Sequence, residues 1–390
     1  MIIKRQISEH LQKMLTKFPI VSLTGPRQSG KTTLLKSVFN NYKYYNLERI
    51  DIRDIIMADP MGFLNSAGPY VIFDEVQNLP ELFSYIQVVS DDLNTNGQYI
   101  LSGSQSFILN NHISQSLAGR VSINNLFPFD IMELPQVFDW DVKQTIIKGF
   151  YPRIHDQKIE PEDFYPSYLQ TYIERDIRTL KAVENLHNFS RFIGLCAGRI
   201  GQILNLTSLA NDAGIAVNTA KSWLSLLEAS YIVFLLQPYF NNFNKRIIKS
   251  PKIYFYDTGI ASSILRISNP EILQTHYLYG ALFENLVIGE IIKSQAHNGK
   301  RPSVYYWHES NGMEIDCIVD NGEGETFAIE IKGGQTFNPG YLKNLKLFPD
   351  SSEKKKIKKY LIYQGQSSSS IKDIQIISWD RFGAAITGFI

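Results

Sequence analysis

Cysteine is nearly missing from this 390-residue sequence: there are two, Cys196 and Cys317, far apart and without paired spacing, which excludes a disulfide framework or a cysteine zinc site. An excess of either charge is missing too. Thirty-nine Lys and Arg stand against 38 Asp and Glu, a formal charge of +1, so the whole chain exerts no long-range pull on nucleic acid or anionic membrane. Any such binding has to come from a local patch. Long apolar runs are absent as well. The opening Met1-Ile2-Ile3-Lys4-Arg5-Gln6 is soon interrupted by Glu9, His10 and Gln12, giving neither a signal peptide nor a membrane span. The expectation is a soluble, cytoplasmic protein with no membrane partner. What is present is a hydrophobic fraction of 44%, including 23 Phe and 21 Tyr, which excludes disorder as the main state. The length predicts two or three domains, each able to bury its own core.

Along the chain, Pro19 to Thr24, Tyr42 to Asn46, Tyr70 to Phe73, Gln98 to Ser102 and Val121 to Leu126 read as short strands alternating with helical stretches. That alternation builds a parallel sheet covered on both faces. Phe127-Pro128-Phe129 marks the exit, so a first region of 1–130 is expected. Region 131–200 reads as helical, with apolar residues near helical spacing from Tyr168 to Ile177. In region 201–270 two helices around a Gly-centred turn precede a strand-rich piece. Region 271–390 opens with a helix near Gly280, followed by strands at Ser303 to Trp307, Glu314 to Val319 and Thr326 to Ile331. The runs Lys354 to Lys359 and Ser367 to Ser370 are the biased segments, expected on solvated loops or helix faces.

Gly25-Pro26-Arg27-Gln28-Ser29-Gly30-Lys31-Thr32 fits G-x-x-x-x-G-K-[ST], between the strand Ile20-Val21-Ser22-Leu23 and a helix opening at Thr32-Thr33. Its glycines let the backbone curl so that successive N–H groups face a β-phosphate at the positive end of the helix. Lys31 is expected to reach the β/γ oxygens, Thr32 to offer its hydroxyl to Mg²⁺, and Thr33 to add an α-phosphate contact. The second element is Tyr70-Val71-Ile72-Phe73-Asp74-Glu75, an apolar strand that delivers two acids to the carboxyl end of the sheet, where ligands of open α/β folds sit. Asp74 is the candidate holder of Mg²⁺ through its water shell. Glu75 is the candidate base for the water that attacks the γ-phosphate, which favours hydrolysis of ATP over phosphoryl transfer to a second substrate. Ser102 and Ser104, at the end of the next strand, are both candidates to sense the γ-phosphate, with Ser104 preferred. Arg120, after Leu117-Ala118-Gly119, is either an arginine finger for a neighbouring copy, which implies at least a dimer, or a surface residue.

These strings, together with Val76-Gln77 and Pro80, Gly149-Phe150-Tyr151-Pro152, Tyr172-Ile173-Glu174-Arg175-Asp176, Phe255-Tyr256-Asp257-Thr258-Gly259 and Phe283-Glu284-Asn285, resemble the prokaryotic AAA+ ATPases that carry a C-terminal domain of unknown function. The resemblance covers essentially the whole chain. It implies an α/β fold: a P-loop AAA+ core with a parallel sheet, a helical lid, a winged helix and a small restriction-endonuclease-like α/β domain.

Two further stretches carry chemistry. Thr207 to Leu224 has helix-turn-helix spacing around Gly214, with Val233 to Leu236 and Lys252 to Tyr256 able to form a wing. Asn218, Thr219, Lys221 and Ser222 are its candidate DNA-facing residues, and Lys245, Arg246, Lys249 and Lys252 a basic patch on the wing side. DNA binding and domain packing both remain open, because Lys221 is the one basic residue from Leu206 to Ser230. Near the C-terminus, alternation puts Glu314 and Asp316 on one strand face, and Glu330 and Lys332 on the face of the next, across a Gly-rich turn. Two carboxylates can bind Mg²⁺, and a lysine two residues on can stabilise a pentavalent phosphate. The set resembles the PD-(D/E)xK nuclease core, with Ile315 in place of the short motif's proline and Glu284 matching the acid that many such nucleases carry on their first helix. A working nuclease, a nuclease fold that does not cut, and a solvated ion pair are the three readings. His308 reads as a solvated strand-end residue. For the whole chain the leading expectation is an Mg²⁺-dependent ATPase acting on DNA or RNA. The alternatives are an ATP-gated nuclease and a nucleotide-dependent protein-interaction switch.

Overall fold

The computed structural model describes residues 3–104, 116–139, 141–172, 185–239, 250–309, 312–322, 324–352 and 355–390. The chain forms two compact units: residues 1–129 with 229–231 and 296–300, and residues 130–228, 232–295 and 301–390. Among the described residues no helix is long and apolar enough to cross a membrane.

In the first unit α1 (Ile7–Leu15), β1 (Ile20–Thr24), α2 (Lys31–Val38), β2 (Lys43–Asn46), α3 (Ile50–Ala58), α4 (Pro60–Ala67), β3 (Val71–Asp74), α5 (Leu82–Leu93), β4 (Tyr99–Gly103) and β5 (Val121–Asn125) follow in order. The five strands pair in parallel as β2-β3-β4-β1-β5. Each expected strand is present, with its ends within one residue. Successive side chains of the central strands enter two different cores, which is why these segments read as unbroken apolar runs. Ile20, Val71, Phe73, Tyr99 and Leu101 pack against Leu64 of α4 and Leu82, Phe83 and Ile86 of α5. Val21, Leu23, Ile72 and Ile100 pack against Ile7 and Leu11 of α1 and Leu34 and Leu35 of α2. The carboxyl ends of β1, β4 and β3 therefore open side by side at one edge of the sheet.

The second unit begins with helices Val142–Lys148, Pro152–Asp156, Pro161–Tyr172 and Leu186–Ala197. The motifs Gly149 to Pro152 and Asp257 to Gly259 meet at one buried carboxylate. Asp257 accepts from Phe150 N at 2.7 Å, from the Tyr165 hydroxyl at 2.8 Å, and from Gly259 N and Ile260 N at 3.0 and 3.2 Å. A Cβ on Gly149 or Gly259 would lie 2.2 Å from the Tyr165 hydroxyl oxygen, so the motif glycines make room for this junction. Most of the Tyr172 to Asp176 motif lies outside the described residues.

Helices Leu206–Ala213 and Val217–Ala229 flank Gly214, whose φ of 69° gives the left-handed turn. Trp223 wedges the second helix against Phe189 and Phe192, with ring centroids 5.2 and 5.5 Å away. An antiparallel pair follows, β6 (Val233–Leu236) with β7 (Lys252–Phe255). A 19-residue helix, Tyr279–His297, leads to β8 (Val304–His308), β9 (Glu314–Asp320), β10 (Glu325–Lys332), β11 (Ser351–Ser352), β12 (Lys355–Tyr363), β13 (Ser369–Ile371) and β14 (Ile374–Ser378). These form a mixed sheet, β13-β14-β12-β10-β9-β8, with β11 added to β12.

Two expectations fail here. From Lys355 onward the lysine run is a strand lying between β10 and β14, Lys354 being outside the described residues, and Lys359 is 3% exposed and ion-paired with Asp350 and Asp373. Alternation with Ile357 and Leu361 carries its stem inward while the two acids meet its head. The serine run is also not a loop throughout, because Ser369 and Ser370 pair with Ile376 and Gln375.

Candidate functional site

Between β1 and α2 the chain makes a tight loop that glycine makes possible. A Cβ on Gly25 would sit 2.0 Å from the Leu126 carbonyl oxygen, and Gly30 turns into the helix with φ 94°. No side chain caps α2, so the amides of its first turn face the loop. Arg27 is half-buried, Gln28 exposed with φ 59°, and Pro26 and Ser29 buried. Lys31 is buried and folds back on its own loop, donating to the Gly25 and Pro26 carbonyls at 2.9 and 2.8 Å. Thr33 is exposed at the helix start.

The β3 acid meets this loop. Asp74, 2% exposed, accepts at Oδ2 from Thr32 Oγ1 at 2.6 Å, and its Oδ1 takes the Ser102 hydroxyl of β4. Glu75 follows in a left-handed conformation, φ 55°, costly for a residue with a Cβ and of the kind found at functional turns. Its Oε2 accepts from Ser104 Oγ at 3.2 Å and from the Gln77 amide. The two serines thus divide: Ser102 lies against Asp74 and Ser104 against Glu75. Lys31, Thr32, Asp74, Glu75, Ser102 and Ser104 are brought together; Arg120 is not. Arg120 precedes the amino end of β5, whose Val121 pairs Ile20 while Asn125 pairs Thr24 at the loop end, a separation of roughly 15 Å at the usual strand rise. Its guanidinium makes a two-pronged pair with Asp91, at 2.6 and 2.9 Å.

Sequence reasoning missed three residues here. Tyr44 of β2 donates to Asp74 Oδ2 at 2.6 Å, and burial, reinforced by that carboxylate, holds its hydroxyl far above the usual phenol range. Arg5 is 5% exposed and donates to the Ser29 and Phe127 carbonyls at 2.8 and 2.7 Å, tying the loop to the chain leaving β5. Tyr231 shares a hydrogen bond with Thr24 at 2.8 Å and donates to Asn125 at 3.0 Å. An apolar-to-acid strand end signals Asp74, but nothing in the sequence marks which neighbours reach it.

The second cluster lies in the C-terminal sheet. Asp316 of β9 and Glu330 of β10, 7% and 1% exposed, both pair with Lys332, at 2.8 and 2.6 Å. Ile331 N also donates to Asp316, at 2.8 Å. Glu284, from the long helix, takes the Tyr254 hydroxyl and lies 3.4 Å from Lys252, which also pairs with Glu314. Burial, then the Asp316 charge, pushes Glu330 up to about 8 and Glu284 up to about 7. Burial opposes ionisation of Asp316 too, but Lys332 and Lys252 outweigh it and hold that carboxyl below its usual value. All four expected residues, Glu284, Asp316, Glu330 and Lys332, are gathered. Two expectations are corrected. Lys252 is 4% exposed inside this cluster and adds nothing to a surface patch, because β7 turns it toward the acids; Lys245, Arg246 and Lys249 lie outside the described residues. His308 is not solvated: its side chain is 18% exposed, with Nδ1 3.7 Å from Glu314. On the helix-turn-helix, Asn218, Lys221 and Ser222 are exposed and Thr219 half-buried.

Comparisons with known proteins follow the same division. The AAA domain family matches residues 17–134, and two domains of unknown function, DUF8612 and DUF4143, match residues 139–271 and 279–382. The uncharacterized protein Rv2008c of Mycobacterium tuberculosis is 30% identical over 340 residues, covering 86% of this chain and 75% of the relative. The uncharacterized protein MJ1637 of Methanocaldococcus jannaschii is 22% identical over 397 residues, covering 88% and 81%. Among solved structures, the Walker-type ATPase PABY2304 of Pyrococcus abyssi is similar with a TM-score of 0.45 at 16% identity, covering 68% of this chain and 96% of that one.

Proposed function

The chain belongs to the family of P-loop AAA-type ATPases whose C-terminal part is a DUF4143 domain, and on that premise we propose an Mg²⁺-dependent ATPase whose nucleotide cycle drives movement of the regions after its core and acts on nucleic acid. The observation that carries the reading is the 2.6 Å contact between Thr32 and Asp74, with Glu75 next in the chain. The loop Gly25 to Thr33 cradles the phosphates with its backbone amides. Lys31 exchanges the Gly25 and Pro26 carbonyls for the β/γ oxygens. Thr32 and Asp74 fit a hard cation, two oxygens already at hydrogen-bond distance, and would hold Mg²⁺, which when bound neutralises charge on the phosphates. Glu75, positioned by Ser104 and Gln77, takes the proton of the attacking water. Arg120 serves a neighbouring copy as a finger only by leaving Asp91.

Residues 131–200 are assigned as a helical lid, 201–270 as a winged helix and 271–390 as a nuclease-like domain. The exposed Asn218, Lys221 and Ser222, with Thr219, form the proposed contact with nucleic acid. The test is ATP turnover with and without single- and double-stranded DNA or RNA, in Mg²⁺ and after chelation. Turnover is expected to need Mg²⁺ and to rise with one nucleic acid. Turnover indifferent to all of them would refute action on nucleic acid and leave the protein-interaction switch.

A second reading, an ATP-gated metal-dependent nuclease, is favoured by one observation: Asp316 and Glu330 are buried side by side with Lys332 between them. Cleavage of labelled DNA or RNA in Mg²⁺ or Mn²⁺, lost in Asp316→Ala and altered by ATP except in Lys31→Ala, is its expected result. Uncut substrate under every metal condition overturns it.

A further inference from the structure

Lys252 reaches the acidic cluster from a different piece of structure than the acids do. It lies on β7, the second strand of the pair that follows the helix-turn-helix, whereas Glu314 and Asp316 lie on β9, Glu330 on β10 and Glu284 on the long helix. Its ammonium is buried, 3.4 Å from Glu284 and paired with Glu314, while Lys332 is held between Asp316 and Glu330. Two ammonium groups thus face four carboxyls, with Lys252, Asp316 and Glu330 buried and Lys332 and Glu314 about 30% exposed. One atom is left over: Glu330 Oε1, in a residue 1% exposed, has no hydrogen-bond partner among the described residues. A buried carboxyl oxygen without a donor is rare and points to a cation or proton that belongs beside it.

Resting on the reading of Asp316 and Glu330 as a metal site, we propose that Lys252 is a built-in counter-ion that keeps a divalent cation out of this cluster. A cation entering with Lys252 in place meets acids that already have an ammonium partner, and it repels that ammonium in a low-dielectric setting. Removing Lys252 leaves Glu284 and Glu314 without their cation, a state that a metal relieves. Lys332 cannot play this part, since it is two residues from Glu330 on the same strand and moves with the acids. Lys252 can, because it comes from β7, a strand that carries none of the four acids.

The test measures Mn²⁺ binding to the full chain without nucleotide, by electron paramagnetic resonance and by the Mn²⁺-induced shift in thermal unfolding. Wild type is compared with Lys252→Met, Lys252→Gln and Lys252→Arg, each with and without Asp316→Asn. Lys252→Met and Lys252→Gln should bind one Mn²⁺ at least tenfold more tightly than wild type, an increase that Asp316→Asn removes, while Lys252→Arg stays at the wild-type affinity. The glutamine variant keeps a polar partner for Glu314 and carries the same expectation should the methionine variant fail to fold. Asp316-dependent binding of equal strength in wild type and the neutral variants overturns the role of Lys252 and leaves the metal site standing. Absence of any Asp316-dependent Mn²⁺ binding overturns the metal site, and this proposal with it.

Discussion

Glu330→Gln should flatten the pH dependence of stability of the C-terminal unit between pH 7 and 8. In the folded chain burial and the neighbouring Asp316 lift Glu330 from 4.5 to about 8, so it keeps a proton that the unfolded chain has already released. A carboxyl whose folded value lies above its unfolded one gives stability that is full below about pH 4.5 and is lost as pH rises through about 8. One full proton of difference changes stability by about 1.4 kcal/mol per pH unit, and because Glu330 is half-titrated by pH 8 wild type should lose about 1 kcal/mol between pH 7 and 8 through this group alone. Glu284 and Glu290, each pushed up to about 7 chiefly by burial, are half-titrated at pH 7 and act in the same direction, each with a smaller loss over this range that Glu330→Gln leaves in place. His155, held below its usual value by burial, acts oppositely, and its contribution is over above about pH 6.5. Asp316 sits below its usual value, so what it contributes is lost on acidification, outside this range. The assay is urea unfolding at pH 7 and pH 8, followed by the fluorescence of Trp307 and Trp379, 2% and 4% exposed in this unit. The readout is the difference between the two pH values, so a constant cost of the substitution cancels. A Glu330→Gln protein with the wild-type slope between pH 7 and 8 would refute the protonated, buried Glu330.

Four other outcomes are expected. Lys31→Ala should abolish ATP binding in a fluorescent-nucleotide titration, and Glu75→Gln should bind ATP normally while turnover falls about a hundredfold or more, the range of a lost general base. Normal turnover by Glu75→Gln would remove the base assignment. Tyr44→Phe deletes a 2.6 Å hydrogen bond to the Asp74 carboxylate, of a class contributing about 1.5–3 kcal/mol; with Thr32 and Ser102 still in place, kcat/KM should fall about tenfold and the Mg²⁺ requirement should rise. An unchanged Mg²⁺ titration would show that Tyr44 does not position Asp74. Asp257→Ala strands the Phe150 amide and uncaps the Gly259 and Ile260 amides, while the Tyr165 hydroxyl keeps the Lys148 carbonyl, so thermal unfolding should fall by an amount equivalent to about 2–4 kcal/mol, and an unaltered melting temperature would remove the junction's structural role.

How much of this was readable in advance depended on how local the physics was. The nucleotide core was legible because its signals are contiguous: a glycine that must approach Leu126, a lysine and threonine opening a helix, and an apolar strand ending in Asp74 and Glu75. Asp316, Glu330 and Lys332 were legible for a related reason, whereas Glu284 came from the resemblance alone. Period-two alternation carries Glu314 with Asp316 and Glu330 with Lys332, and antiparallel pairing of β9 with β10 brings the faces together. The residues that escaped notice reach their partners through tertiary structure. Tyr44 lies 30 positions from Asp74, and its role depends on β2 joining the sheet beside β3. Lys359 was hidden in a cluster of charge that reads as surface, yet pairing with β10 on one side and β14 on the other puts it inside. Lys252 is the sharpest case. Its neighbours in sequence suggested a basic patch for phosphate, and its strand was anticipated, but a strand has two faces and its sequence does not say which one meets the distant Glu284 and Glu314. A lysine on the other face of β7 would point away from those acids. The face chosen makes this residue the partner of Glu284 and Glu314 instead.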